Sequence, residues 1–463
     1  MSTAPLHTAP VHPAPVQTVW WQLHPLTFLG AEPRALPADA PCAHRLGRLE
    51  PWLDYLVELG CDGLALGPVF ASSTHGYDTV DHFRVDPRLG TDEDFDRLVA
   101  ACRQRGVKLL LDGVFNHVSR DFGPFRDVRA HGAASAYASW FRIDWSVDGP
   151  DGFGYADFEG HRHLVALDHA EPAVQDHVRR VMDHWLRRGA HGWRLDAAYA
   201  VPSSFWRDVI GPVRADHPDA WFLGEVIHGD YTAAVSDGGL DSVTQYELWK
   251  ALWSSLNDHN FFELAWTLDR HNGLAALFQP LTFVGNHDVT RMASRLDDPR
   301  HLAHALAVLF TVAGTPSVYA GDEQAFRGVK YEREDGDAEI RPAFPDSPSG
   351  LAPHGRPVYR LHQNLIGLRR RHPWLVRART EVLHLDNQAF AYRAVDPESG
   401  ARLAVLLNIS DSPVDFPSVD ASAERLLAGA PYDDAADAGP THRVAPHAWA
   451  VLELPSSGDL RAH

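Results

Sequence analysis

Residues 107–112 read Val-Lys-Leu-Leu-Leu-Asp, a short apolar run that ends in a carboxylate. A strand that is apolar at consecutive positions is buried on both faces, which is typical of a parallel sheet covered by helices. The segment before it predicts an amphipathic helix that is capped by Thr91 and stopped by Gly106. Together the two segments predict one β/α unit of a parallel α/β fold.

The same pattern recurs along the chain. Residues 51–60, for example, predict a helix with leucines on one side and a glycine stop. Eight strands that alternate with helices over about 320 residues predict a (β/α)8 TIM barrel. The other predicted strands are residues 19–23, 63–68, 192–196, 221–225, 241–245, 281–285 and 317–319.

Two parts of the chain depart from this repeat. The third and fourth strands are separated by far more than a loop and one helix, which predicts an insertion after strand three. After about residue 375, short strands alternate with turn-rich stretches, which predicts a C-terminal antiparallel β domain. The predicted division is a disordered lead at 1–17, the barrel at 18–117 and 168–372, the insertion domain at 118–167 and the β domain at 376–463.

Composition excludes several classes of function. The net charge of −19 disfavours nucleic acid and anionic membrane surfaces as partners, so a neutral small molecule fits best. Three cysteines without a C-x-x-C spacing predict reduced thiols. The sequence has neither a long apolar span nor the basic start and apolar core of a secretory signal. We therefore expect a cytoplasmic protein, and the sequence leaves its oligomeric state open.

Polar side chains follow four of the predicted strands. Because the carboxyl ends of barrel strands open onto one face, we expect these side chains to converge. Arg194 and Asp196 are two positions apart on a strand and therefore point to the same face. The expected cluster comprises Asp112 and His117 after strand three, Arg194 and Asp196 at strand four, Glu225 after strand five, and His287 and Asp288 after strand seven.

Carboxylates that meet in one cleft can hydrolyse glycosides. In a retaining enzyme two carboxyl groups lie about 5–5.5 Å apart, one ionised to attack the anomeric carbon and one protonated to donate to the leaving oxygen. Arg194 should favour an ionised Asp196, which makes Asp196 the candidate nucleophile. An apolar strand and neighbouring carboxylates should favour a protonated Glu225, which makes Glu225 the candidate acid.

The remaining polar residues have a functional and a structural interpretation. Asp288 could stabilise an oxocarbenium-like transition state, and His117 and His287 could donate hydrogen bonds to sugar hydroxyls. The histidines could equally be satisfied residues of the barrel rim, and Asp112 could only brace that rim. Asn116 is expected to order its loop rather than to bind a ligand.

Several segments resemble the signature segments of the α-amylase family of glycoside hydrolases. The similarity runs from about residue 18 to 372, with a similar β domain behind it. Four segments are Asp-Gly-Val-Phe-Asn-His at 112–117, Gly-Trp-Arg-Leu-Asp at 192–196, Gly-Glu-Val at 224–226 and Phe-Val-Gly-Asn-His-Asp at 283–288; a fifth stretch is His-Gly-Tyr-Asp-Thr-Val-Asp at 75–81 followed by Asp-Pro-Arg-Leu-Gly-Thr at 86–91.

The resemblance implies a role for each residue of the cluster. It implies that Asp196 is the nucleophile, Glu225 the general acid/base and Asp288 the transition-state stabiliser. It also implies a subsite for the attacked glucose, with Tyr77 stacked on the sugar ring and Asp78 bracing the rim. The residues that line this subsite would be Tyr77, Asp112, His117, Arg194 and His287.

The sequence departs from starch-degrading members of the family in two places. The run Asp-Ala-Ala-Tyr-Ala at 196–200 lacks the lysine and histidine that serve leaving-group subsites and a calcium site there. The segment 164–168, at the end of the insertion, lacks the usual proline and asparagine, and Asn116 alone cannot hold a cation. We therefore expect no required cofactor and no metal ligands in the active site, and a structural calcium stays open.

The leading interpretation is retaining hydrolysis of short α-gluco-oligosaccharides, as in intracellular maltodextrin- and cyclomaltodextrin-degrading or α-glucosidase-like enzymes. A transglycosylase or a sugar isomerase would use the same residues. A non-catalytic sugar-binding protein on the same fold would be expected to lack one of the three carboxylates. A metal-dependent hydrolase is suggested by 28 histidines and the pair His161 and His163, although their place in the insertion predicts a surface position.

Overall fold

Eight parallel strands form the centre of the protein. The computed structural model describes residues 17–37, 39–333, 335–417, 419, 425–429 and 442–455, so the predicted disordered lead lies outside them apart from residue 17. The first six strands are neighbours in chain order, and the eighth lies between the first and the seventh. A parallel bridge between Thr244 and Leu281 joins the sixth strand to the seventh. The predicted (β/α)8 barrel is confirmed, with strands at Trp20–Leu23, Gly63–Leu66, Lys108–Gly113, Gly192–Leu195, Trp221–Gly224, Ser242–Val243, Leu281–Phe283 and Thr315–Tyr319.

Helices cover the outside of the barrel, and their ends follow local sequence signals. The second helix ends at Gly60, whose φ of 102° is the left-handed conformation that glycine adopts without strain. Thr91 and Asp94 form a capping box at the start of the next helix. The α-helices are Pro25–Phe28, Glu50–Leu59, Asp92–Gln104, Gly123–His131, Pro172–Arg187, Ser203–Asp216, Tyr231–Ser236, Tyr246–Asn257, Phe261–Ala275, Met292–Arg295, Leu302–Thr311 and Arg356–Arg371.

Small antiparallel sheets extend the loops on the carboxyl side of the barrel. A hairpin follows the second barrel strand, and the insertion after the third strand contains a three-stranded and a two-stranded sheet. The hairpin strands are Phe70–Ser72 and Thr79–Val85, and the strands of the insertion are His117–Ser119, Ile143–Asp144, Gly154–Tyr155, Asp157–Phe158 and His161–Ala166.

A C-terminal antiparallel β domain follows the barrel, as predicted. Its main sheet has five strands, and a two-stranded sheet lies beside it. The helices Phe261–Ala275 and Leu302–Thr311 of the barrel contact this domain. Its strands are Arg379–Leu385, Ala389–Val395, Arg402–Asn408, Val414–Phe416, Arg425–Gly429, His442–Val444 and Trp449–Leu454.

Two predictions from composition can be compared with the structure. Cys42, Cys61 and Cys102 are free, and the last two are buried, in agreement with reduced thiols. Within the described ranges, none of the helices combines the length and the apolar character needed to cross a bilayer.

Candidate active site

The carboxyl ends of the barrel strands bring the predicted charged residues together around one guanidinium. Arg194 Nη1 contacts both carboxyl oxygens of Asp112 at 2.8 and 2.7 Å and lies 3.2 Å from Asp196 Oδ1. Its Nη2 lies 2.7 Å from Glu225 Oε1 and 3.8 Å from Asp288 Oδ2. Because Asp196 and Glu225 contact the same guanidinium, these two oxygens are less than about 10 Å apart. We call these five residues the floor of the site.

Strand register explains why the floor forms. Arg194 is in register with Asp112 on the neighbouring third strand. The fourth strand is also in register with the fifth, so that Asp196 and Glu225 leave their strands at the same level. The backbone N–H of Ala197 donates to Glu225 Oε2 at 2.9 Å, which orients the carboxyl group. Register therefore converts residues far apart in sequence into one cluster.

The pKa of Asp196 depends on more groups than Arg194. Burial and then the negative charge of Glu225 raise the pKa of Asp196 well above its usual range, although Arg194 opposes this shift. Arg194 also lies closer to Glu225, at 2.7 Å, than to Asp196, at 3.2 Å. Arg194 favours the ionised form of Asp196, as expected, but burial and the charge of Glu225 outweigh it in the free site. Spacing along a strand cannot show how many acids share one guanidinium.

Asp288 has the opposite electrostatic character. Burial by itself would raise the pKa of Asp288, but His287, Arg341 and Arg194 together hold it well below its usual range. His287 Nε2 lies 2.9 Å from Asp288 Oδ2, and Arg341 Nη2 lies 2.7 Å from Asp288 Oδ1. Asp288 is therefore the member of the floor whose negative charge the structure favours most.

Tyr77 and His287 form one bonded pair beside the floor. The Tyr77 hydroxyl donates to Asp112 Oδ2 at 3.2 Å and also contacts His287 Nε2. The two rings stack with their centroids 5.4 Å apart. Gln22 Nε2 donates to His287 Nδ1 at 3.1 Å, which leaves the Nε2 proton for Asp288. One face of Tyr77 is thus covered by His287, and its predicted stacking on a sugar stays a prediction.

His117 and Asp78 hold the loop that carries Tyr77. His117 Nε2 bonds to the Tyr77 carbonyl at 3.0 Å, and its Nδ1 accepts from Asn116 Nδ2 at 3.1 Å. Burial lowers the pKa of His117 to about 3, so the imidazole is neutral. Asp78 is buried and accepts from the backbone N–H of Thr74 at 3.0 Å and from its hydroxyl at 2.7 Å. Both residues position the loop, and a direct contact with sugar stays a prediction.

Asn116 lies in the region where the sequence leaves a structural calcium open. Ca²⁺ takes six to eight oxygen ligands. The Asn116 backbone carbonyl accepts from the Leu167 N–H at 3.1 Å, and its side-chain Nδ2 bonds to His117 Nδ1. Among the described residues, Asp168 belongs to no group of three His, Cys, Asp or Glu ligand atoms. We therefore assign no step to calcium.

Three further residues touch the floor or its partners and were not predicted. Arg341 comes from the irregular segment after the eighth strand, bonds Asp288 and also pairs with Asp337 at 2.8 Å. The Tyr246 hydroxyl donates to Glu225 Oε1 at 3.3 Å. Gln22 and Tyr246 lie at or just after the ends of the first and sixth strands, so the strand-end rule could have found them. No sequence pattern singles out Arg341.

A second set of residues lies around Tyr199, which is three positions after Asp196 in the sequence. The Tyr199 hydroxyl donates to Glu159 Oε1 at 3.0 Å. The Tyr199 ring lies 5.0 Å from that of His228, which follows the fifth strand. Glu159 and His228 are exposed and Tyr199 is half-buried. We call these three residues the outer wall.

The histidine pair in the insertion does not form a metal centre. His161 and His163 lie on the exposed half of the strand His161–Ala166, as predicted. Neither belongs to a group of three metal-ligating side chains in the part of the chain that the structure describes.

Comparison with known proteins identifies the family. The sequence profile of the α-amylase catalytic domain matches residues 49–379. The chain belongs to the α-amylase family. It is a glycoside hydrolase, and the family resemblance seen in its signature segments is confirmed.

Two curated relatives of this α-amylase family member are longer proteins. A cyclomaltodextrinase of Geobacillus thermopakistaniensis is 30% identical over 432 residues, which cover 89% of this chain and 72% of the relative. An intracellular maltogenic amylase of Bacillus subtilis is 30% identical over 337 residues, 67% of this chain and 56% of the relative. The chain therefore spans little more than half the length of the second.

A solved structure matches almost from end to end. The cyclic α-maltosyl-(1→6)-maltose hydrolase of Arthrobacter globiformis superimposes with a TM-score of 0.77 and 25% identity, covering 95% of this chain and 98% of that one. The architecture of barrel, insertion and β domain is therefore shared with a hydrolase of similar length.

Proposed function

We propose that this α-amylase family member hydrolyses α-glucosidic bonds of short linear or cyclic α-gluco-oligosaccharides with retention of configuration. The observation that carries the proposal is the single guanidinium of Arg194, which contacts Asp112, Asp196 and Glu225 at 2.7–3.2 Å. This arrangement holds two candidate catalytic carboxyl groups beside one another at the open face of the barrel. Relatives named cyclomaltodextrinase and maltogenic amylase support the substrate class.

In the first step Glu225 gives a proton to the glycosidic oxygen while Asp196 attacks the anomeric carbon. The bond to the leaving sugar breaks, and a glycosyl ester forms on Asp196. Burial and the neighbouring Glu225 raise the pKa of Asp196, so attack uses the ionised form that Arg194 favours. The hydroxyl of Tyr246 and the N–H of Ala197 bond Glu225 and fix its direction.

In the second step Glu225 takes a proton from water, which attacks the same carbon and releases Asp196. Both transition states carry positive charge on the sugar ring. Asp288, which His287, Arg341 and Arg194 keep ionised, is placed to stabilise this charge. Two inversions at one carbon return the α-anomer.

A transglycosylase would differ only in the acceptor. The half-buried aromatic ring of Tyr199 next to His228 favours this second candidate, because it offers a surface on which an acceptor sugar could stack. The relative rates of transfer and hydrolysis decide between the two.

The test is to incubate the protein separately with maltose, maltotriose, β-cyclodextrin, trehalose and sucrose and to follow the products by NMR. We expect cleavage of maltotriose or β-cyclodextrin, with the α-anomer appearing first. An initial β-anomer would refute retention, and a new disaccharide as the main product would favour transfer. Activity should be lost in Asp196→Asn, which removes the proposed nucleophile. Asp148→Asn, which removes an exposed carboxylate of the insertion, is its control and should keep the activity.

A cytoplasmic location is also a proposal. One relative is named an intracellular maltogenic amylase, which supports it. Fractionation of the source cells should place the activity with the cytosolic marker, and recovery from the culture medium would contradict it.

A further inference from the structure

A cluster of histidine and carboxylate side chains lies where the barrel meets the C-terminal β domain. Asp298 and His301 belong to a short turn, Pro299–His301 with its cap, that leads into the helix Leu302–Thr311. His447 lies in the turn before the strand Trp449–Leu454. His301 is buried, and the other two side chains are 24% and 9% exposed.

The ligand atoms of these three residues face one another. His301 Nε2 is 3.0 Å from His447 Nδ1, and Asp298 Oδ2 is 4.0 Å from each of these nitrogens. A tetrahedral zinc ion with bonds of about 2.0–2.1 Å has neighbouring ligand atoms about 3.3 Å apart. Shifts of well under 1 Å would therefore convert the present arrangement into three corners of a tetrahedron.

A second carboxylate, that of Asp411, determines which nitrogen of His447 is free to bind a metal. His447 Nε2 lies 2.8 Å from Asp411 Oδ1, so that nitrogen carries the proton and Nδ1 keeps its lone pair toward His301. A histidine that binds metal through one nitrogen and donates to a carboxylate through the other is the common arrangement around protein-bound zinc. Asp411 is thus placed to orient His447 rather than to bind the ion directly.

We propose that Asp298, His301 and His447 bind one divalent transition-metal ion of the Zn²⁺ type, with solvent as the fourth ligand. Two imidazole nitrogens and one carboxylate oxygen suit this class of ion, whereas Ca²⁺ and Mg²⁺ prefer oxygen ligands throughout. On binding, the proton that His301 Nε2 shares with His447 moves to His301 Nδ1, and the metal takes its place. The ion would link the barrel to the β domain and would stabilise their junction.

Arg300 would compete with a metal ion for the carboxylate of Asp298. Its guanidinium contacts both oxygens of Asp298, with Nε at 3.0 Å from each and Nη2 at 2.6 Å from Oδ2. A metal at Oδ2 must share that oxygen with a positive charge. Removing the guanidinium should therefore strengthen metal binding, which is the reverse of what removing a ligand does.

The experiment uses the untagged full chain after dialysis against a chelator. Titration with Zn²⁺ by calorimetry, and with Co²⁺ by visible absorption, should show one site, and Zn²⁺ should raise the midpoint of thermal unfolding. His447→Gln, which keeps an amide for Asp411, and Asp298→Asn should each weaken binding by about 10- to 100-fold. Arg300→Gln should tighten it. His131→Ala, which removes an exposed histidine on the insertion, should leave the affinity unchanged.

Two results would overturn the proposal. One is the absence of a one-to-one site in the wild-type chain. The other is a site whose affinity for Zn²⁺ is the same in wild type, His447→Gln and Asp298→Asn. Circular dichroism and glycosidase activity of each variant, measured without metal, establish that it is folded.

Discussion

The floor and the outer wall of the active site are built in different ways. The floor consists of buried charged groups around Arg194, and each of its carboxylates has a cationic partner. The outer wall has one hydrogen bond, between Tyr199 and Glu159, and one ring contact with His228. The floor is therefore rigid and intolerant of change, whereas the wall can vary without disturbing the chemistry. Such a division lets one family keep a reaction and alter its substrates.

The largest effect is expected from Asp196→Asn in the floor. Without the nucleophile, kcat/KM for maltotriose should fall by about 10⁴-fold or more. The buried carboxyl has a raised pKa, so its charged form is disfavoured in the folded state and costs stability at neutral pH. The variant should therefore be more stable than wild type in denaturant unfolding at pH 7. The stability of Asp148→Asn should be unchanged.

Arg194→Lys should have the next largest effect. An ammonium cannot contact three carboxylates at once, so the floor would contain unpaired buried charges. We expect kcat/KM to fall by about 10²- to 10³-fold and the free energy of unfolding to fall by about 2–4 kcal/mol. Wild-type activity in this variant would show that the guanidinium does not organise the floor.

Arg341→Gln should change the pH dependence more than the rate at neutral pH. Loss of a cation beside Asp288 raises the pKa of that carboxyl, so Asp288 becomes protonated at a higher pH. The acid limb of the kcat/KM profile should move to higher pH. Arg327→Gln, at an exposed position, should leave the profile unchanged. If the acid limb does not move in Arg341→Gln, then either the ionised Asp288 is not needed for catalysis or Arg341 does not control its pKa.

The smallest effect is expected at the outer wall. Tyr199→Phe removes only the hydrogen bond to Glu159, so hydrolysis of maltotriose should change by less than about threefold. The ratio of transfer to hydrolysis should change more than the rate, and Glu159→Ala, which removes the acceptor of the same bond, should have the same effect. If Tyr199→Phe lowered kcat/KM as much as Arg194→Lys does, the outer wall would be as important for the chemistry as the floor, which contradicts the account.

Much of the architecture could be predicted because local signals determine it. Gly60 and the Thr91 cap mark helix ends, and the apolar strands predict the barrel. The floor residues could be predicted because each one lies at the end of a strand. The raised pKa of Asp196 could not be predicted, because it depends on how deeply this carboxyl is buried and how closely Glu225 packs against it.

Other features depend on contacts that no local pattern encodes. Arg341 reaches the floor from a segment without regular periodicity, and the sequence offers no reason to select it. His301 and His447 are 146 positions apart and belong to different domains. Only the packing of the β domain against the barrel brings them together.

Trapping of the covalent intermediate tests the central assignment most directly. The protein would be incubated with a fluorinated α-glucosyl fluoride that forms the glycosyl enzyme faster than it is hydrolysed, then digested and analysed by mass spectrometry. We predict one added sugar, on the peptide that contains Asp196 and on that side chain. A label on Glu225, Asp288 or any other residue would contradict the proposed nucleophile.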